Sequence, residues 1–174
     1  MQEYIAVTTI GPSTLRNQGS KGVIRAAQQY LAVMNIRAFS VEKENIYLRV
    51  LDDHTERLRI TLPKAAQNWG AARKALNLYL RDICYNRFLC ERYNLSEKEN
   101  WMEIPLDSFV ASSLKKRAGR GQLPCWPGLN GLTPEISFKF QKFAKHFAAN
   151  EGISRIHLDM RLWMDTRENI IKIG

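Results

Sequence analysis

The stretch that most restricts how this chain can fold runs from Ala71 to about Tyr93. There Leu76, Tyr79, Leu80, Ile83, Cys84, Phe88 and Leu89 recur at three- and four-residue spacing. That spacing lays one apolar stripe along a helix. A stripe of this length needs other helices to cover it, which predicts a mainly all-α domain with this helix central to the core. One interruption is expected near Tyr85-Asn86.

The other segments agree with that prediction. Ser20 to Met34 places Val23, Ala26, Ala27, Tyr30, Leu31 and Met34 on one helical face, after glycine and proline turn signals. The stretch from 45 to 62 carries two periods. Ile46, Leu48, Val50 and Leu58, Ile60, Leu62 alternate as a small β-hairpin would, while Tyr47, Leu51, His54, Leu58 and Leu62 fall at helical spacing, and helix is favoured. Asp107 stands at the N-cap position of SFVASSLKKR, and two more helices are expected over 134–152 and 153–169. Between them RAGRGQLPCWPGLNGLTP reads as a long loop. At 174 residues the chain is expected to form one domain over 1–174.

Charge and composition narrow the partners. Lys and Arg outnumber Asp and Glu by 26 to 17, a formal charge of +9, which suits nucleic acid before anionic membrane. The apolar runs fall short of the roughly 20 residues that cross a bilayer, and Met-Gln-Glu-Tyr lacks the basic start of a secretory signal. A cytoplasmic protein with no membrane partner is therefore expected. Cys84, Cys90 and Cys125 form no C-x-x-C pair, and His54, His146 and His157 are too scattered for short ligand spacings, so neither a metal nor another cofactor is expected. No coiled-coil seam is present, and a monomer is expected.

Within this frame Lys74 stands out. It is read in the first turn of its helix, just after the turn residue Gly70, where the positive end of the macrodipole disfavours a cation and would help lower an amine pKa. An ordinary solvated lysine is the plain alternative. Thirty-three positions later comes Asp107, for which a simple helix cap is the plain alternative. The order is a glycine turn, a lysine helix with Arg81 seven positions on, a loop, and Ile-Pro-Leu-Asp opening a short helix. It resembles the helix-hairpin-helix DNA glycosylase superfamily, most closely the archaeal 8-oxoguanine glycosylase/lyase branch. KALNLYLR (Lys74 to Arg81) is similar to that branch's lysine helix, and IPLDSFVA (Ile104 to Ala111) to its proline-aspartate segment. The resemblance spans Trp69 to Ala111, and the hairpin QNWGA differs from the superfamily's leucine-proline-glycine-valine-glycine form.

The resemblance implies a cofactor-free enzyme acting on double-stranded DNA, nucleoid-associated in a prokaryote, that flips out and removes an oxidised or otherwise modified base. Lys74 would be its Schiff-base lysine, Asp107 its catalytic aspartate, and Arg81 its second basic residue, on the DNA. A flipped base is normally held by aromatic faces, for which Trp69 and Trp126 are the expected pair, with Trp163 expected in the core. Phosphate contacts are expected from Arg73, Lys115, Lys116, Arg117 and Arg120, and from backbone N–H groups around Gly70. Two other readings stay open: a noncatalytic DNA- or RNA-binding helical module, and a helical interaction protein whose basic face is merely solvated.

Overall fold

The computed structural model describes residues 1–18 and 21–171, with side chains described as far as residue 165. Among the described residues there is no strand, and the helices are α1 (Gln2–Thr9), α2 (Val23–Val33), α3 (Glu44–Thr61), α4 (Trp69–Tyr85), α5 (Arg87–Arg92), α6 (Ser108–Ala118), α7 (Gly128–Gly131), α8 (Pro134–Asn150) and α9 (Leu158–Ile171). The domain is all-α.

The small β-hairpin allowed for near 45–62 does not form; that stretch is α3. The reason is which of its two periods finds cover. Tyr47, Leu51, His54, Leu58 and Leu62 are all buried, whereas Ile46 and Ile60 of the alternating set face solvent. α2 likewise buries Val23, Ala27 and Leu31; Ser20, the expected start of that helix, lies outside the described residues. α4 starts at Trp69, where the Asn68 side chain accepts the Ala71 N–H at 2.8 Å, and ends at Asn86, whose side chain in turn caps α5 through the Leu89 N–H. The break expected near Tyr85-Asn86 is thus a change of cap. α1, which the sequence did not announce, buries Ile5 and Ala6 and packs on α2 and α4.

The buried side chains form two clusters. One joins α1 to α5, with Met102 and Ile156; the other joins α6, α8 and α9, with Ile104, Leu106, Leu123 and Leu132. The chain crosses from the first to the second along residues 102–106, which belong to no helix. Buried backbone of this kind needs hydrogen-bond partners from elsewhere. Side chains supply them: Gln141 accepts from the Ile104 N–H and donates to the Ile104 carbonyl, while the buried Arg155 guanidinium donates to the carbonyls of Trp101, Met102 and Gln141. The crossing segment ends at Asp107, so its anchoring fixes where that carboxylate stands.

A second tie joins the halves at the start of α4. Gly70 is not a turn residue but the second residue of the helix, and a Cβ there would come within 2.3 Å of the Leu129 carbonyl oxygen of α7. Only glycine lets α7 approach this closely.

Candidate active site

At the seam between the two clusters opens a cavity of about 500 Å³. α4 presents Lys74, Leu78 and Arg81 to it, one turn apart along one helical face. From the other half come Pro105, Asp107 and Phe109, and from α9 come Asp159, Met160 and Trp163.

Lys74 and Asp107 meet here, with Nζ 3.3 Å from Oδ2. The Lys74 side chain is 9% exposed and that of Asp107 35% exposed. The two oxygens of Asp107 have separate tasks. Oδ1 accepts the Val110 N–H at 2.9 Å and caps α6, which leaves Oδ2 directed at the amine. Asp107 is thus a helix cap through one oxygen and faces the Lys74 amine with the other. Lys74 is the sixth residue of α4 and stands in its second turn, beyond the reach of the helix-end dipole that the sequence suggested. Its surroundings are set instead by the cavity wall and one carboxylate.

Beside this pair lies a denser network. Arg81 Nη2 is 2.8 Å from Asp82 Oδ1, Arg81 Nη1 also reaches Asp159 Oδ2, and the Thr9 hydroxyl donates to Asp82 at 2.6 Å. Burial pushes the Asp159 carboxyl above the usual carboxylate range, and the Arg81 charge opposes that push. With two carboxylates on its guanidinium, Arg81 forms part of the cavity wall beside Lys74.

Arg73 is a further correction. It was expected on phosphate, yet its side chain is 6% exposed and forms two hydrogen bonds with Glu103, one with Asp52 and one with Thr55. Its guanidinium also lies over the Trp69 ring, 5.2 Å from the centroid. Arg73 and Lys74 are adjacent in sequence, but one residue is about 100° of helix rotation, so their side chains leave on different faces. Gly70 is buried inside α4 with α7 packed over its α-carbon, which differs from the open turn that the sequence predicts there. Of the basic run after Asp107, Lys116 and Arg120 are exposed and Lys115 is half-buried, whereas Arg117 pairs with Asp165 and lies over the Phe147 ring.

The expected base-pocket aromatics stand elsewhere. Trp69 lines a separate cavity with Arg73 and Glu103, and Trp126 packs edge-on against Phe140 while its Nε1 donates to Ser108 Oγ. Neither lines the cavity that holds Lys74. The aromatics that do are Phe109 and Trp163, the latter expected in the core from its spacing and in fact 45% exposed. Asp159, four residues before it, was also missed. The only sequence signal was their i, i+4 spacing, which places both on one face of α9. No family model, curated protein or solved structure matches the chain.

Proposed function

We propose that the protein is a DNA glycosylase with Schiff-base lyase activity, excising a modified base from duplex DNA. The observation that carries this reading is the placement of the Lys74 amine 3.3 Å from a carboxylate oxygen of Asp107 on the wall of an open cavity. The likeness of KALNLYLR and IPLDSFVA to the lysine helix and proline-aspartate segment of the helix-hairpin-helix glycosylases supports it independently. So does the formal charge of +9. No helix among the described residues is long and apolar enough to cross a membrane.

The chemistry follows from the two groups. A base swung out of the stack enters the cavity, where Trp163, Phe109 and Met160 offer apolar faces. As the C1′–N bond breaks, its electron pair leaves with the base, which takes up a proton, and the Asp107 carboxylate stabilises the oxocarbenium-like sugar. Lys74 Nζ then adds to C1′ and passes a proton to Asp107 Oδ2. O4′ then departs from C1′ with its electron pair and takes the proton back from Asp107, which opens the ring to a 4′-hydroxyl and leaves a C1′=N iminium. Loss of a C2′ proton then breaks the C3′–O bond and cuts the strand.

Borohydride reduction traps such an iminium as a stable protein–DNA adduct. Wild-type protein mixed with duplex DNA carrying an abasic site, and separately 8-oxoguanine, is expected to give an adduct that disappears in Lys74→Gln and is strongly reduced in Asp107→Asn on the base-containing substrate. DNA bound without any adduct or strand cleavage would overturn the lyase reading and leave a monofunctional glycosylase acting on another base or the noncatalytic binding module.

A further inference from the structure

A second depression lies on the other half of the molecule, away from the Lys74 cavity. Its volume is about 490 Å³, within the range of ligand-binding clefts. Lys139, Lys142 and His146 line one side of it, at positions i, i+3 and i+7 along one face of α8. Leu123, Phe143 and Ala118 supply apolar surface. No acidic residue lines it, and none of its three basic side chains has a carboxylate partner among the described residues. The neighbouring Lys145 differs, reaching Glu44 at 2.6 Å. The exposed Lys116 and Arg120 come from the segment of α6 and loop that borders the depression at Ala118 and Gln122. Phe143 is half-buried and stacked with Phe147, the two rings 9° from parallel, and Arg117 lies over Phe147.

Each component restricts the ligand. Three cationic or N–H-bearing groups, of which Lys139 also borders a neighbouring depression lined by Glu135, Asp52 and Glu103, select an anion that repeats along a line. That alone would suit the backbone of a duplex. The apolar component would then have no use, because the bases of a duplex are stacked inside it. A single strand presents phosphates and base faces together, and proteins that hold one combine a basic groove with aromatic platforms. We infer that the groove between the end of α6 and α8 binds single-stranded DNA, Lys139, Lys142 and His146 contacting phosphates while the half-buried Phe143 receives a base. α6 connects this groove to the Asp107 site over about 16 Å, the length of its eleven residues at 1.5 Å each. The groove thus sits a few nucleotides from the cavity. The inference deepens the excision reading by naming where unpaired strand is held, and it rests on that reading for its DNA partner but not for its chemistry.

The test is fluorescence anisotropy with a short fluorescein-labelled oligothymidylate and with a lesion-free duplex, over a series of salt concentrations. Lys139→Glu/Lys142→Glu is expected to weaken oligothymidylate binding at least about tenfold. The milder Lys139→Gln/Lys142→Gln should reduce the slope of log K against log salt by about 1.4, roughly 0.7 for each of two phosphates. Phe143→Leu, which keeps apolar bulk, is expected to weaken binding about fivefold or more with the salt slope unchanged, as loss of a stacked base requires. Wild-type protein that binds the duplex but not the oligothymidylate, or lysine variants that bind it as wild type does, would overturn the inference. The borohydride experiment separates the two proposals. Oligothymidylate binding that depends on Lys139 and Lys142, without any adduct on abasic DNA, removes the lyase reading and keeps the groove. An adduct without oligothymidylate binding does the reverse.

Discussion

Arg73 and Lys74 are neighbours on α4, and each reaches a carboxylate at one end of the same short segment, Glu103 or Asp107. The two pairs are built differently. Arg73 is engaged by Glu103, Asp52 and Thr55, and Glu103 also accepts from Asn77. Lys74 has one carboxylate at 3.3 Å and a cavity in front of it. A fully satisfied buried pair is fixed in place and has nothing left to offer a ligand. A singly contacted amine at a cavity wall keeps its hydrogen-bonding capacity for one. Two residues adjacent in sequence thus differ in what they leave open: Arg73 is fully paired inside the protein, and Lys74 faces a cavity with one contact.

The sharpest way to break this comparison is Lys74→Gln. It is expected to remove the borohydride adduct entirely while changing the free energy of unfolding by no more than about 1 kcal/mol, as for a single-contact pair with a partly solvated partner. A large loss of stability would move Lys74 into the same structural class as Arg73. Glu103→Ala should behave in the opposite way. It leaves Arg73 buried with only Asp52 as a charged partner, and urea denaturation is expected to show a loss of about 3–5 kcal/mol. Asp107 permits a finer division, because its cap and its contact with Lys74 use different oxygens. Asn is a good N-cap, so Asp107→Asn should cost only a few tenths of a kcal/mol, whereas Asp107→Ala should cost about 1 kcal/mol. Equal stability of the two variants would mean that the cap contributes nothing.

The smallest effect is in acid. Burial alone would raise the Glu103 carboxyl, but the Arg73 charge and hydrogen bonds outweigh it and hold the group below the usual glutamate range. A depressed carboxylate contributes stability above its ordinary pKa, about 4.3, and loses that contribution as the pH falls through the folded value. Thermal melting of wild-type protein should therefore show an acid-limb decrease below about pH 4.3 with a component missing from Glu103→Ala.

What the sequence made legible was local. The α4 stripe, its break at Asn86 and the Asp107 cap follow from spacing and side-chain type within a few residues, and the structure has all three. The period of α3 was decided by burial: both patterns were present, and only the helical one met a neighbour. The site was legible in part. Lys74 and Asp107 are brought together, while Trp163 and Asp159 reach the cavity only because α9 packs beside α6. Arg73 and Arg117 were read as surface cations because their carboxylate partners, Glu103 and Asp165, lie 30 and 48 positions away. Charge on its own does not reveal which lysines and arginines are already occupied.

The side-chain anchoring of residues 101–104 has a consequence for genetics. Gln141 and Arg155 touch nothing in the Lys74 cavity, yet they hold the backbone that leads to Asp107. A screen for loss-of-function alleles should therefore collect substitutions at 141 and 155 alongside those at 74 and 107. Such alleles would keep every residue of the site and lose its register.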